Sequence, residues 1–174
     1  IWPIQLISAA VMISMLISHP EWNKKQVAVL GWSYGFGSFV IGVCWLVVAM
    51  SRYGGMPLAL SIIALSLLAA FMAIFPAFCF VLVQFLRKKW KTSDALSVLL
   101  LFPVTWAATE FLRGHLFTGF PWLSIGYAHN VSPLAGYAPV LGVYGLAGVA
   151  MLVAACIALL IMHQSARIHA SLSL

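Results

Sequence analysis

The chain has 174 residues, of which 64% are hydrophobic and 7% charged, with a formal net charge of +6. A soluble domain carries about 25% charged residues, so this composition excludes a water-solvated exterior and points to one solvated by lipid. The basic residues stand at the ends of apolar runs, not in a stripe interleaved with exposed aromatics, which excludes nucleic-acid binding.

Spanning a bilayer takes about 20 apolar residues in a helix. Five apolar segments are read in chain order, at about 4–18, 27–51, 57–86, 95–112 and 134–162. The first is short and closes on His19, Pro20 and Glu21. The second carries Gly31, Gly35, Gly37, Ser38 and Gly42, spaced so that helix backbones can approach closely. The third is long enough to tilt, with Pro76 as the expected kink. Between the fourth and fifth lies a broken apolar stretch, 115–133, in which Gly119, Pro121 and Gly126 prevent one continuous helix. The fifth repeats the small-residue theme with Gly142, Gly145 and Gly148. The expected fold is all-α, a polytopic transmembrane bundle of about five spans with a broken re-entrant or interfacial segment, forming one transmembrane domain over 1–174.

Charge sets the expected orientation. Lys24, Lys25, Arg87, Lys88, Lys89, Lys91 and Arg167 fall on one side, and Arg52 and Arg113 on the other. The positive-inside rule puts the larger group in the cytoplasm, and Ile1, the 52–57 loop and the 115–133 stretch on the periplasmic face.

Few residues carry chemistry. Cys44, Cys79 and Cys156 lie in separate apolar runs, which argues against a disulfide framework and favours packing. His115 and His129 share a side, but no third ligand completes a metal set, so no metal and no cofactor are expected. His19, His163 and His169 sit at the opposite edge. Glu110 is the lone acid inside a span, and Arg113 lies one helical turn on. Two readings stay open for that pair: an ion pair bracing the helix end, or contact with a polar lipid head group. The Phe117, Phe120, Trp122 and Tyr127 rings reach the interface either as an aromatic belt or as the mouth of a lipid groove. On the residues alone, a small transporter or channel and a ligand-free membrane scaffold remain alternatives.

Thr109–Gly114, then Phe117–Leu123, then Gly126–Tyr127 form a long and specific block. It resembles the membrane domain of the apolipoprotein N-acyltransferase family. Trp2–Pro3, Gly35–Gly37 with Trp45, the turn Tyr53–Pro57 and the stretch Pro133–Gly145 match the same domain in order. The resemblance implies a multi-pass protein of the bacterial inner membrane. Its phospholipid donates an acyl chain to the amino group of a diacylglyceryl-cysteine on an apolipoprotein. It further implies that Gly119, Phe120 and Trp122 line acyl-chain entry, that Tyr53 and Met56 face them, and that Glu110 and Arg113 brace the arrangement. The family's Glu, Lys and Cys catalytic groups belong to a nitrilase-like domain with no counterpart in these residues. No catalytic residue is therefore assigned, and residues 1–174 are expected to be inactive alone. Trp122 is expected to be mostly buried near the Tyr53–Met56 turn.

Overall fold

The computed structural model describes residues 2–172, without the side chains of Phe117 and of residues 165–172. Ile1, the Phe117 ring, Arg167 and His169, all used in the sequence reading, lie outside what is described.

Helix α1 (Trp2–Ser18) buries Leu6, Ala9, Ala10, Ile13, Leu16 and Ile17 along one face. A short turn follows, and Asn23 opens α2 (Lys24–Gly42) with a reciprocal cap: its side chain accepts from Gln26 N–H, and the Gln26 side chain accepts from Asn23 N–H. The second segment is not one straight helix. Past Phe39 the bonds tighten, with Leu46 N–H to Val43 O at 2.9 Å and Val47 N–H to Cys44 O at 3.1 Å. Helix α3 (Trp45–Val48) and its wide π turn (Ala49–Tyr53) then leave α2 at 47°.

The third segment comprises α4 (Leu58–Met72) and α5 (Ile74–Trp90), interrupted at Ala73. Pro76 is the cause: lacking an N–H, it leaves the Met72 carbonyl without its helical partner, so the break falls one turn before the proline. The fourth segment opens with α6 (Asp94–Leu96), widens into a π turn (Ser97–Leu101), and continues as α7 (Phe102–His115). Pro103 gives the same account there, because Phe102 N–H bonds one residue further back, to Ser97 O. Three 3₁₀ turns follow, Leu116–Thr118, Ile125–His129 and Pro133–Tyr137. The chain ends in α8 (Ala138–Leu172), broken at Gly142, whose φ of 62° is left-handed.

Three described helical stretches, Leu58–Trp90, Asp94–His115 and Pro133–Gln164, are long and apolar enough to cross a membrane. The bent α2–α3 pair makes a fourth, and the 17-residue α1 is a shorter apolar helix. Up to four spans and one shorter apolar helix are roughly consistent with the expected five. Apolar side chains such as Ile41, Leu67 and Leu160 point outward, an exterior suited to lipid rather than water.

The bundle packs α2 on α5, α1 on α8, and α7 on both α5 and α8. The α2–α5 seam depends on two glycines. A methyl group on Gly31 would lie 2.8 Å from Ala77 Cα, and one on Gly35 would lie 3.0 Å from Ala73 Cα. Gly42 lies against Leu123 and Gly148 faces Ala107 of α7, whereas Gly37 and Gly142 pack against nothing in this way. At the centre, Phe80 meets Phe102 edge to face and Phe102 stacks on Trp106, with ring centroids 5.3 and 6.0 Å apart.

Candidate functional site

Helix α7 carries Trp106, Glu110 and Arg113 at helical spacing, so their side chains share one face and point into the bundle. Glu110 Oε1 accepts from Trp106 Nε1 at 3.1 Å and from Ile125 N–H at 3.0 Å, while Oε2 accepts from the Ser124 hydroxyl. Arg113 lies 3.8 Å from the carboxylate. Its Nη1 donates to the carbonyls of Phe120 and Trp122, each at 2.7 Å, and its guanidinium sits 5.2 Å above the Phe39 ring. The carboxylate and the guanidinium therefore hold successive parts of residues 120–125, a stretch that no regular ladder could satisfy. Both side chains are buried, at 4% and 3% exposure.

Backbone geometry completes the clamp. Gly119 has φ of 83°, and a side chain there would collide with the Gly114 carbonyl. Leu123, with φ of 61°, turns the chain inward so that its side chain caps Gly42 of α2. Ser124, Ile125 and Gly126 follow it into the bundle. The segment thus folds back on the helices instead of standing free in water.

Beneath the clamp is a half-open cavity of about 570 Å³ between α1, α2 and α7. Its walls are largely apolar, with Phe39, Phe75 and Leu123 among them, and a polar side made by Gln5, Ser8, Tyr34 and Ser38. Tyr34 stands with Ser8 and Ser38 on that polar side. Volume and lining match an ordinary small-molecule pocket.

The residues singled out from sequence fall differently. Phe120 packs on Phe39 and Trp122, with ring centroids 6.4 and 5.3 Å apart. Trp122 is 53% exposed and meets Trp45 at 5.8 Å. Its expected burial does not hold, because the inward turn is taken by Leu123, leaving the indole at the rim. Tyr53 ends the α3 π turn at 88% exposure, and Met56 N–H returns to Met50 O at 3.0 Å. Among the described residues no hydrogen bond or ring contact joins Tyr53 or Met56 to Trp122. The cavity instead uses Tyr34, Ser38, Ser124 and Ile125, which sequence reasoning missed. Tyr34 and Ser38 lie four apart on the glycine face of α2, a spacing that could have drawn attention to them.

Two further placements correct the reading. Cys44, in the turn between α2 and α3, and Cys156, on α8, are exposed, and only Cys79 is buried. His129 is fully buried. The Ser132 hydroxyl donates to His129 O and accepts from Leu134 N–H, so Nδ1 carries the ring hydrogen and donates to Ser132 Oγ at 2.9 Å. Nε2 is left without a partner among the described residues. Burial lowers the pKa of this imidazole.

A helical bundle with an apolar exterior and a charged clamp over an internal cavity defines a polytopic membrane protein. Residues 1–156 match the family profile of the apolipoprotein N-acyltransferase N-terminal domain, and the chain belongs to that family. It is 40% identical over 149 residues to an apolipoprotein N-acyltransferase of Ralstonia nicotianae, covering 86% of this chain and 28% of the relative. The corresponding protein of Nitrosomonas europaea is 40% identical over 161 residues, 91% of this chain and 31% of the relative. That of Vibrio vulnificus is 36% identical over 165 residues, 94% and 31% respectively. The chain thus spans about a third of the length of these curated relatives.

Proposed function

We propose that this chain is the lipid-handling membrane part of an enzyme of the bacterial inner membrane. That enzyme transfers an acyl chain from a phospholipid to the amino group of a diacylglyceryl-cysteine on an apolipoprotein. The observation that carries the reading is the cavity of about 570 Å³ closed on one side by the Glu110–Arg113 clamp. Its apolar walls suit an acyl chain, and its polar side suits an ester or head group. On this reading lipids pass over Gly119, Phe120 and Trp122, which precede the Leu123 wall of the cavity, while Tyr53 and Met56 would meet them from a separate turn, with the Trp122 and Tyr53 rings exposed. A carboxylate already held by three hydrogen bonds and a cation is a brace, not an ion-transport site or a general base.

Residues 1–174 supply access and not chemistry. Cys79 is enclosed against Thr109, and Cys44, in the turn between α2 and α3, and Cys156, on α8, are exposed with no ion pair formed beside them among the described residues. Activating a thiol takes an adjacent base or cation. The test is transfer of a labelled acyl group from phosphatidylethanolamine to a diacylated lipopeptide. The purified 174-residue chain is expected to give none, and the longer protein carrying it to be active. Ser38→Phe in that protein should block the cavity and lower transfer while leaving thermal stability near wild type. Full activity in Ser38→Phe would overturn the assignment of the cavity.

A further inference from the structure

At the opposite, basic end of the bundle there is a second recess, of about 410 Å³, lined by Trp22, Lys25, Gln26, Val29, Leu30 and Ser33. Lys25, Gln26, Val29, Leu30 and Ser33 recur every three or four residues, so they form one stripe down the first turns of α2, with Trp22 in the turn just before it. From Lys25 to Ser33 the stripe runs about 12 Å along the helix axis, from the charged end into the apolar zone.

Charge at this end is unbalanced. Asp94 is taken by Arg87 at 2.5 Å, and Glu21 by His19 at 2.9 Å. Lys88 also faces Glu21 and donates to the Trp22 carbonyl at 3.3 Å. Lys24, Lys25, Lys88, Lys89 and Lys91 make no ion pair within 4.0 Å among the described residues. Trp22 is fixed at the head of the recess by stacking on His19, with centroids 4.5 Å apart.

We infer that this recess binds one anionic glycerophospholipid, with its phosphate at Lys25 beside Trp22 and one acyl chain along Val29, Leu30 and Ser33. The argument is complementarity at both ends of one stripe. A cation without a carboxylate partner and an interfacial aromatic ring stand together at the head of the recess, and Val29, Leu30 and Ser33 continue below them. A free phosphate would use only the upper third. The site lies at the other end of α2 from the clamp and does not depend on the acyl-transfer reading.

The test is native mass spectrometry of the delipidated chain in detergent, titrated with dioleoyl phosphatidylglycerol, dioleoyl phosphatidylcholine or inorganic phosphate. Phosphatidylglycerol should be retained in preference to phosphatidylcholine, and inorganic phosphate should not displace it. Lys25→Gln should lower retention about fivefold, the loss of one interfacial cation. Ser33→Phe, which fills the furrow without touching charge, should lower it as well, and Lys91→Gln should leave it unchanged. Circular dichroism checks that each variant is folded, and Val29→Trp serves as a second furrow-filling variant should Ser33→Phe fail that check. Equal losses in Lys25→Gln and Lys91→Gln would mean diffuse attraction and overturn the site. Displacement by inorganic phosphate, or undiminished binding in the furrow-filling variant, would overturn the lipid assignment.

Discussion

Glu110 and Arg113 stabilise the molecule through what each would leave behind if the other were removed. Both are enclosed, so deleting one strands the other as an uncompensated charge, at a cost of about 3–5 kcal/mol. Glu110→Leu and Arg113→Leu are each expected to lower thermal stability in detergent by that amount. The double variant should be less destabilised than the sum, because an apolar pair leaves no orphan charge. Additive losses would show that the two side chains act independently. His129 gives a pH dependence. Its pKa is lowered by burial, so below the unfolded value of about 6.5 the unfolded chain takes up a proton that the folded chain refuses. Stability should therefore be level above pH 7 and fall from about pH 6.5 downward, by at most about 1.4 kcal/mol per unit. Thermal melts from pH 8 to 5 measure this, and His129→Asn should flatten the decline. Glu21, whose pKa is lowered by backbone and His19 hydrogen bonds, acts only at lower pH, below about 4.5.

At the scale of elements, the α2–α5 seam and the break in α8 make contrasting demands on glycine. Gly35→Leu forces a side chain into Ala73 and Pro76 and is expected to destabilise by about 1–3 kcal/mol. Gly37→Ala meets open space in the same helix and should be neutral or stabilising by up to about 1 kcal/mol. Equal effects at the two positions, measured by thermal melts, would refute the seam. Gly142 has room for a side chain but, with φ 62° and ψ −177°, a backbone essentially reserved for glycine, so Gly142→Ala should cost about 1–3 kcal/mol through strain alone. Prolines shape the other breaks. Pro76 and Pro103 each leave a carbonyl free, and the chain responds with an interruption at Ala73 and a π turn before Phe102.

For the whole molecule, the basic end and the clamped end should lie on opposite sides of the membrane. The positive-inside rule rests on loop charges near span ends, and the Lys24–Lys25 and Arg87–Lys91 clusters flank α1, α2 and α5 at one end. Lys88→Cys and Thr118→Cys, in a background lacking Cys44 and Cys156, should react with a membrane-impermeant thiol reagent from opposite sides of oriented vesicles. Labelling of both from one side would reverse the topology on which the proposed access route depends.

Composition and hydrophobic runs by themselves determined that the chain is a helical membrane bundle, because segment length against bilayer thickness is a one-dimensional property. The pairing of Glu110 with Arg113 was legible too, since three residues along a helix is a local spacing. The family was legible from a contiguous block in α7 and the turn after it. What only the tertiary structure decided was which residues converge from distant segments. Gln5, Tyr34 and Ser124 reach one cavity because Gly31 and Gly35 let α2 press on α5 and because Leu123, not Trp122, turns inward. A side chain's direction at a left-handed turn depends on the backbone bonds that Arg113 supplies from α7, and no pattern along the chain carries that information.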